Sequence, residues 1–388
     1  MKVAFTGGGS GGHLSPALAV IQKIRELKPE TDILYIGGRL GMEGTGQPSI
    51  EQKVLPKTDI PHVFIHAGKL QRRWGLTTIF LLIGVVPGFF EALYQLITFK
   101  PQVLFSTGGY VSVPVVFAAW LLRIPIIIHE QTATVGLANK IASIFAKKIF
   151  VSFPPSVKAF PKEKVEVSGN PLRQEILRAV KRRNERGKVK YPRKIYITGG
   201  AQGSHLINQT ILDVLPRLLK EFEVYLQCGD NKLFNDYELL KEKIETLDVN
   251  LQKRCHLVKY IGSEQIGRIF ADADIVIGRS GANTVNEIAA LGIPAIFIPI
   301  PWVTNNEQYK NARILLNAGS AIVLPEDQLT PHKFIELVEL MKSRYQEYFA
   351  KAQEAKSLVK LDAGEVLARR ILEIGQLLVN GKVPRTKS

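Results

Sequence analysis

The chain has 388 residues, more than most single domains contain, so two domains are expected. Hydrophobic residues make up 46% of it and charged residues 22%, as in folded globular proteins, while two isolated cysteines argue against a disulfide scaffold or a zinc site and favour a reducing cytoplasm. The net charge of +16 predicts a polyanionic partner: nucleic acid, an anionic membrane surface or a phosphorylated substrate.

The chain begins with a short apolar strand, VAFT, followed by a glycine-rich turn and a helix, GGGSGGHLSPALAVI. This strand is far shorter than the apolar region of a signal peptide, so no export signal is expected. Gly7, Gly9 and Gly12 satisfy the G-x-G-x-x-G pattern of dinucleotide-binding loops, which by itself does not identify the ligand. None of the glycine-rich turns continues to G-K-[ST], so a P-loop nucleotide site is not expected.

Short apolar runs alternate with helical patterns along the rest of the chain. The strands that this alternation predicts are ILYIG, VFIHA, VLFSTGG, IPIIIHE, KIFVSF, IYITGG, VYLQCG, HLVKYIG, DIVIGRSG and AIFIPIP. The opening strand, loop and helix are echoed in IYITGGAQGSHLINQTILDVL, so each half starts its own Rossmann-like unit. We therefore predict two doubly wound parallel-sheet α/β domains that face each other across a cleft, with ligands at the carboxyl ends of the strands.

The predicted boundaries place the first domain at residues 1–172, a basic linker at 173–193 and the second domain at 194–361. From Arg178 to Lys194, nine lysines and arginines face only Glu185. This run is interpreted either as a solvated linker or as a membrane-facing patch. Nucleic acid is disfavoured as the partner, because neither an aromatic stacking pattern nor a helix-turn-helix accompanies the charge.

An uncharged run, Trp74 to Phe90, follows the basic residues Lys69, Arg72 and Arg73. A transmembrane helix needs about 20 apolar residues, whereas this run is shorter and interrupted by glycine and proline, so it is not expected to span a bilayer. A helix that packs on a core normally keeps a polar face, and the central IFLLI of this run has none. We interpret it as an interfacial patch that rests on anionic lipid, with a buried core helix as the alternative.

The end of the second predicted strand tests for a nicotinamide cofactor. An NAD-binding unit usually has an acidic residue there, whereas ILYIGGRLG ends in Gly37, Gly38 and Arg39. Arg39 could accept the 2′-phosphate of NADP, which keeps an NADP-dependent oxidoreductase as an alternative. In the second half, GRSGANTVNEIAALGIPAIFIPIP instead predicts a helix N-terminus that receives a diphosphate, with Glu287 two turns in to bind ribose hydroxyls.

A possible metal pair occurs in ADAD, where Asp272 and Asp274 mimic the D-x-D of metal-dependent sugar transferases. We favour the alternative that they form a polar turn before the strand IVIG, and we predict neither a metal nor a cofactor.

Six motifs follow one another along nearly the whole chain: GGGSGGHLSPALAV, STGGYVSVPVVFAAWLLRIPIIIHEQ, GNPLR, GGAQGSHLINQ, GRSGANTVNEIAALGIPAIFIPIP and NNEQYKNA. In this order they resemble the bacterial peptidoglycan glycosyltransferases, which transfer N-acetylglucosamine from UDP-N-acetylglucosamine to undecaprenyl-diphosphate-linked muramoyl-pentapeptide. The resemblance implies a GT-B fold, these two substrates and no metal. It also implies a peripheral protein on the cytoplasmic face of the inner membrane, and a helix at about 362–380 is expected to pack back on the first domain.

The resemblance implies site residues as well. The first two glycine loops would receive the lipid diphosphate through Gly8, Gly9, Ser10, Gly11, Gly12, Gly108, Gly109 and Tyr110. The nucleotide side would use Arg173 and Arg279 as basic contacts, Ile261 for uracil, Glu287 for ribose and Gln308 for the transferred sugar. The other predicted substrate contacts are Thr132, Ala201, Gln202, Gly203, Ser280, Gly281, Ala282 and Thr284. Thr132 and Ala201 depart from the family, which typically has Asn at the first position and often Ser at the second.

Transfer needs a base that takes the proton of the acceptor hydroxyl as it attacks the anomeric carbon. His13 is the first candidate, because a helix N-terminus disfavours its protonated form, and Glu130 is the rival. The function we predict is that of an inverting, metal-independent glycosyltransferase. The alternatives are a UDP-sugar transferase acting on another lipid, such as diacylglycerol, and a non-catalytic module that binds UDP-sugar.

Overall fold

The computed structural model describes residues 1–9, 11–40, 48–67, 85–187, 189–231 and 233–379. The chain divides into two compact units. The first comprises Met1–Arg173 and the residues from Lys360 onward, and the second comprises Gln174–Val359.

A parallel sheet forms the centre of the first unit, and its seven described strands lie in the order β3-β2-β1-β4-β5-β6-β7. They are β1 (Lys2–Thr6), β2 (Asp32–Gly38), β3 (His62–Ile65), β4 (Val103–Ser106), β5 (Ile126–Glu130), β6 (Lys148–Val151) and β7 (Val165–Val167). Thr6 of β1 lies opposite Ile36 on one side and Ser106 on the other. The winding direction reverses between β1 and β4, which is where doubly wound sheets bind ligands.

Helices cover both faces of this sheet, so its strands are apolar on both sides. The helices are α1 (Gly11–Leu27), α2 (Ile50–Val54), α3 (Val85–Phe99), α4 (Ser112–Leu121), α5 (Leu137–Phe145) and a C-terminal helix (Ala363–Val379). Side chains alternate along β1, so Val3 and Phe5 join the core beneath α1 and the C-terminal helix, whereas Ala4 joins the core beneath α3 and α4. The C-terminal helix buries Leu367 and Ile371 in the first of these cores.

The second unit repeats this plan with six described parallel strands in the order β10-β9-β8-β11-β12-β13. They are β8 (Lys194–Thr198), β9 (Glu223–Gln227), β10 (Cys255–Val258), β11 (Ile275–Gly278), β12 (Ala295–Phe297) and β13 (Ala321–Val323). Thr198 of β8 lies opposite Gly278 of β11. The winding reverses between these two strands, so both sheets confirm the predicted α/β class.

The helices of the second unit are α6 (Gln174–Arg186), α7 (His205–Glu221), α8 (Asp236–Glu245), α9 (Val249–Gln252), α10 (Ser263–Asp272), α11 (Ala282–Leu291), α12 (Glu307–Asn317), α13 (Pro331–Ser343) and α14 (Tyr345–Ala355). Short 3-10 helices occupy Leu55–Lys57, Pro154–Ala159, Thr304–Asn306, Glu326–Gln328 and Lys356–Leu358. No described helix combines the length and the apolar character that crossing a bilayer requires.

The basic linker expected at 173–193 is instead helical over most of its length, because α6 spans Gln174–Arg186 and belongs to the second unit. Its apolar residues recur at helical spacing, so Ile176 and Val180 are buried. Arg183 is also buried, and its guanidinium donates to the carbonyl of Ala273 over 2.6 Å. The other basic residues of this helix, Arg178, Lys181, Arg182 and Arg186, are exposed. The stretch is therefore a helix of the second unit with a solvated basic face, and not a linker between the units.

The apolar run predicted as a membrane patch is described only in part. Residues 68–84 lie outside the described ranges, including the central IFLLI and the basic residues before it. The described remainder begins α3, where Val86 is 52% and Phe90 61% exposed.

Candidate active site

The predicted glycine loops follow the strands at which each sheet reverses its winding. In the first unit they follow β1 and β4, and in the second they follow β8, with the Ser280–Gly281 turn after β11. Carboxyl ends of parallel strands share one edge of a sheet, so within each unit the two turns are neighbours.

Close backbone contacts hold the two loops of the first unit together. The N–H of Gly8 donates to the carbonyl of Gly108 over 3.1 Å. Gly109 has φ +84°, and a Cβ there would come within 1.9 Å of the Gly8 carbonyl oxygen, so no larger residue fits. Gly11 and Gly12 form the first turn of α1, and Ser10 lies outside the described residues. The loops therefore present main-chain groups rather than side chains at this edge.

His13 lies in the first turn of α1, and its Nδ1 is 2.8 Å from the carbonyl oxygen of Thr107. A carbonyl oxygen only accepts, so Nδ1–H donates to it and Nε2 keeps a lone pair. The side-chain amide of Gln131 also contacts Nδ1. The Oε1 atom of Gln131 is buried and has no hydrogen-bond partner among the described residues. If the oxygen and nitrogen of this amide exchange places, Oε1 accepts a hydrogen bond from the Nδ1–H of His13. Thr107 and Gln131 together fix the tautomer that leaves Nε2 basic.

Burial lowers the pKa of His13 below its ordinary value of 6.5, against smaller opposing effects of the Thr107 carbonyl and the Glu130 charge. The imidazole is therefore neutral near pH 7. The predicted direction agrees, but burial is the cause rather than the helix N-terminus.

Glu130, the rival base, ends β5 with both carboxylate oxygens occupied. Oε1 accepts from the amide and hydroxyl of Thr132, and Oε2 accepts from the Gly136 N–H and from Asn139, all within 3.0 Å. The residue is almost fully buried. Such a carboxylate organises the 131–139 segment, and this geometry favours His13 as the base.

Other residues predicted for the first unit are held by the protein itself. The Thr132 hydroxyl donates to Glu130 over 2.7 Å. The Tyr110 hydroxyl donates to the carbonyl of Leu40, and burial raises its pKa to about 12. Arg173 is half-buried at the end of this unit.

In the second unit the loop Gly199–Gly203 leads into α7. Ala201 and Gln202 are exposed, whereas Gly203 lies tight against the next strand. Gly203 has φ +80°, and a Cβ there would meet the Cys228 carbonyl oxygen at 1.9 Å. An exposed loop at the start of a helix is a common anion-binding geometry, because the N-terminal end of the helix carries a partial positive charge.

Arg279 differs from its predicted role as a ligand-facing cation. The guanidinium is buried, forms an ion pair with Glu326, and donates to Ser204 Oγ over 2.7 Å and to the Ile298 carbonyl over 3.0 Å. Burial lowers the pKa of Arg279, but Glu326 supports its charged form. Because Glu326 compensates its charge, Arg279 links the ends of strands β8, β11 and β12 and is not a free cation for a ligand.

Ser280 and Gln308, both predicted contacts, are brought together. Gln308 Oε1 accepts from the N–H of Ser280 over 3.3 Å and from that of Ile300 over 3.1 Å. Glu287 is 5% exposed in the second turn of α11. That helix starts at Gly281 as its N-cap, without a side-chain cap, and includes the predicted residues Ala282 and Thr284. Ile261 is buried just beyond β10.

The D-x-D pair has structural partners. Asp274 lies 3.0 Å from Arg186 and accepts from the N–H groups of Arg193 and Lys194, while Asp272 lies 3.5 Å from Arg182. Across the described ranges, no group of three or more His, Cys, Asp or Glu is placed to hold a metal ion. The two aspartates fasten α6 to the second unit.

Sequence reasoning missed Gln131 and Glu326. Gln131 directly follows Glu130 in the quoted HEQ motif, at the end of a predicted strand, so its position in the sequence could have identified it as a site residue. Glu326 lies 47 residues beyond Arg279 in the chain, and no local pattern connects them. Only the fold reveals that ion pair.

Two family models match the chain. Residues 3–151 match the glycosyltransferase family 28 N-terminal domain, and residues 194–367 match the glycosyltransferase family 28 C-terminal domain. A protein of Thermoanaerobacter sp. (strain X514), named UDP-N-acetylglucosamine--N-acetylmuramyl-(pentapeptide) pyrophosphoryl-undecaprenol N-acetylglucosamine transferase, is 36% identical over 96% of this chain and 100% of its own length. A protein of Bacillus thuringiensis (strain Al Hakam) with the same name, numbered 3, is 37% identical over 89% of this chain and 93% of its own.

Solved structures agree with the fold. The crystal structure of MurG from Acinetobacter baumannii superposes with a TM-score of 0.72 at 25% identity, covering 96% of this chain and 99% of that one. A UDP-GlcNAc 2-epimerase from Neisseria meningitidis bound to UDP-GlcNAc has a TM-score of 0.63 at 14% identity, over 96% of this chain and 100% of that one. The second likeness concerns the fold alone.

Proposed function

The chain belongs to glycosyltransferase family 28, and we propose that its first unit receives a lipid-linked acceptor and supplies the base, while its second unit binds the nucleotide-sugar donor. It is a UDP-N-acetylglucosamine-dependent hexosyltransferase of peptidoglycan synthesis. It transfers N-acetylglucosamine to the muramoyl-pentapeptide that diphosphate links to undecaprenol.

One observation supports this division most strongly: His13 stands beside the paired glycine loops with Nδ1 held by Thr107. The start of α1, where the helix carries a partial positive charge, receives the diphosphate beside these loops. His13 then accepts the proton of the acceptor hydroxyl at Nε2 as the hydroxyl oxygen bonds to the anomeric carbon. The bond between that carbon and the β-phosphate oxygen breaks, and UDP leaves with the electron pair. A single displacement of this kind inverts the anomeric configuration.

The donor's diphosphate is received chiefly by helix N-termini. Arg279 is engaged with Glu326, so the starts of α7 and α11 supply the compensating partial charge. Glu287 accepts hydrogen bonds from ribose hydroxyls, and Gln308 contacts the transferred sugar from a position fixed by Ser280 and Ile300. Ile261 contacts uracil through its main chain. No metal enters this scheme.

An apolar groove in the first unit supports contact with a membrane. It has a volume of about 350 Å³ and lies between α3 and α4, lined by Val86, Phe89, Pro114, Phe117, Trp120 and Leu121. Trp120 is 54% and Leu121 56% exposed, although both are large and apolar. The exposed Arg123 lies two residues beyond Leu121 in the chain. An apolar surface with a cation close by in the chain fits anionic lipid, so we place the protein peripherally on the cytoplasmic face of the inner membrane.

UDP release tests the reaction. Purified enzyme with UDP-N-acetylglucosamine should release UDP only when the muramoyl lipid is present, and the product should carry one additional N-acetylglucosamine. Turnover with diacylglycerol in its place would indicate another lipid acceptor. Donor binding without UDP release on any acceptor would indicate a binding module, and turnover of NADPH would indicate an oxidoreductase.

A further inference from the structure

A buried carboxyl group lies directly against the first glycine loop, and the steps above do not use it. Glu51, in the first turn of α2, is fully buried. Its Oε1 accepts a hydrogen bond from the N–H of Gly9 over 2.8 Å. A Cβ placed on Gly8 would come within 2.6 Å of the same oxygen. The carboxyl group therefore touches the backbone that receives the acceptor's diphosphate in our proposal.

The other oxygen of this carboxyl group, Oε2, is buried and has no hydrogen-bond partner in the described ranges. The titratable groups that face Glu51 are Tyr35 of β2 and Tyr110 at the start of α4. Both phenols donate elsewhere, to the carbonyl oxygens of Gly7 and Leu40. No lysine or arginine among the described residues acts on this carboxyl group.

A diphosphate bound at the loop would face an ionised Glu51 across a single layer of backbone. When two negative groups lie close together and are poorly solvated, the charge of one opposes the ionisation of the other. Burial already raises the pKa of Glu51 above its ordinary value, in spite of hydrogen bonds from its own main chain, from the Ser49 side chain and from the Gly9 N–H, which act in the opposite direction. A second negative group would raise it further.

We propose that the protonated form of Glu51 is the one that admits the acceptor's diphosphate to the first glycine loop, so that acceptor binding is linked to proton uptake. This inference rests on the proposed function of that loop. The proton comes from solvent, resides on Oε2 because Oε1 faces the Gly9 N–H, and returns to solvent when the lipid product leaves. Glu51 is a positioning residue, since it acts through the backbone of Gly8 and Gly9.

The wild-type enzyme provides the first test. Its titration with geranyl-diphosphate-linked muramoyl-pentapeptide, by calorimetry in buffers of different ionisation enthalpy, should reveal uptake of up to one proton over the pH range that lies above the free-enzyme pKa of Glu51. Acceptor affinity should fall about tenfold per pH unit above the free-enzyme pKa of Glu51, while affinity for UDP-N-acetylglucosamine stays constant.

Variants then assign the proton to Glu51. Glu51→Gln keeps an oxygen for the Gly9 N–H but cannot titrate, so it should lose the uptake and bind acceptor with the same affinity across this pH range. Glu26→Gln is the matched control, because Glu26 lies on α1 with its carboxylate exposed and paired with Lys23. This variant should behave as wild type.

Each negative result has a distinct meaning. If wild type transfers sugar to this acceptor but takes up no proton, the linkage is wrong, whatever the variants do. If Glu51→Gln keeps the wild-type uptake, another group, such as His13, carries the proton and the assignment is wrong. If wild type transfers no sugar to the acceptor at all, the proposed function itself fails.

Discussion

At the scale of single residues, hydrogen-bond partners decide which of the chemically suitable side chains is available. Arg279, Glu130 and His13 all have the right chemistry for a transferase site. Arg279 is buried in an ion pair with Glu326, and both oxygens of Glu130 already accept hydrogen bonds. His13 is different, because its Nδ1 is held by Thr107, and in our proposal its Nε2 acts as the base.

His13→Ala should lower kcat by roughly 10²–10⁴-fold, the usual contribution of a general base. Donor affinity should change little, since the donor is assigned to the other unit. In wild type, kcat should rise with pH as His13 loses its proton. Its lowered pKa places the midpoint of this rise below pH 6.5. Steady-state kinetics across pH checks both points, and a fully active His13→Ala would transfer the role of base to another group.

Gln131 should influence the reaction through His13. Gln131→Leu removes one of two partners of Nδ1 and should lower kcat by about tenfold, the effect of one lost hydrogen bond. Gln131→Glu places a negative charge beside the ring, which favours imidazolium, so the acid limb of the kcat profile should move to higher pH. A purely structural Gln131 would lower kcat without moving that limb.

Glu287→Ala should weaken UDP binding by about 1.5–3 kcal/mol, because the ribose would lose hydrogen bonds to a charged acceptor. Titration calorimetry with UDP measures the change. Glu245→Ala, at the end of α8 and exposed, serves as the control and should bind UDP as wild type does. Unchanged UDP affinity in Glu287→Ala would remove this residue from the site.

At the scale of elements, the sequence offered two stretches as candidate membrane contacts, the basic run from Arg178 and the apolar run Trp74 to Phe90, of which only residues 85–90 are described. The basic stretch from Arg178 forms much of α6, whose Arg183 and Arg186 bond to main-chain and side-chain oxygens at the end of α10. By contrast, α3 and α4 leave large apolar side chains in solvent around an open groove. In our proposal, this groove rather than α6 contacts lipid.

Exchanging Trp120 and Leu121 for Ser should reduce binding to anionic vesicles by at least tenfold, because each large side chain contributes about 1.5–3 kcal/mol when it leaves water. Both are already exposed, so thermal stability should be retained. Activity should fall on the undecaprenyl acceptor and survive on a short-chain soluble one. Vesicle sedimentation and melting curves give the measurements.

Val249→Ser is the matched control for this surface. Val249 is 61% exposed on α9 in the second unit, so its replacement should leave vesicle binding unchanged. Equal loss of vesicle binding in the control and in the groove variant would rule out a specific membrane contact at the groove.

At the scale of the whole molecule, the C-terminal end of the chain packs with the N-terminal unit and not with the unit that precedes it in sequence. The C-terminal helix follows the second unit in sequence but contributes Leu367, Ala368 and Ile371 to the core beneath β1. The first unit therefore cannot complete its core until the entire second unit has been synthesised. The stability of the first unit therefore depends on two segments that lie far apart in the sequence.

Leu367→Ala should destabilise the first unit by about 2–5 kcal/mol, because it opens a cavity in a closed core. Hydrogen exchange should accelerate in β1, β4 and α1 and remain unchanged in β8 and β11. Leu377→Ala on the same helix is the control, since Leu377 is 40% exposed and should cost far less. Uniform acceleration in both units after Leu367→Ala would contradict independent cores.

The sequence by itself determined the parallel α/β class, the two repeated units and the positions of the glycine loops, because strand burial and glycine conformation are local properties that leave local patterns. It also determined the enzyme family, since six motifs keep their order over nearly the whole chain. Only the tertiary structure decided that Arg279 pairs with Glu326, that Gln131 meets His13, that Glu51 lies under Gly9, and that α6 is a packed helix. These depend on contacts between segments far apart in the chain, and the free energy of such a contact is set by burial and partners that no local pattern records.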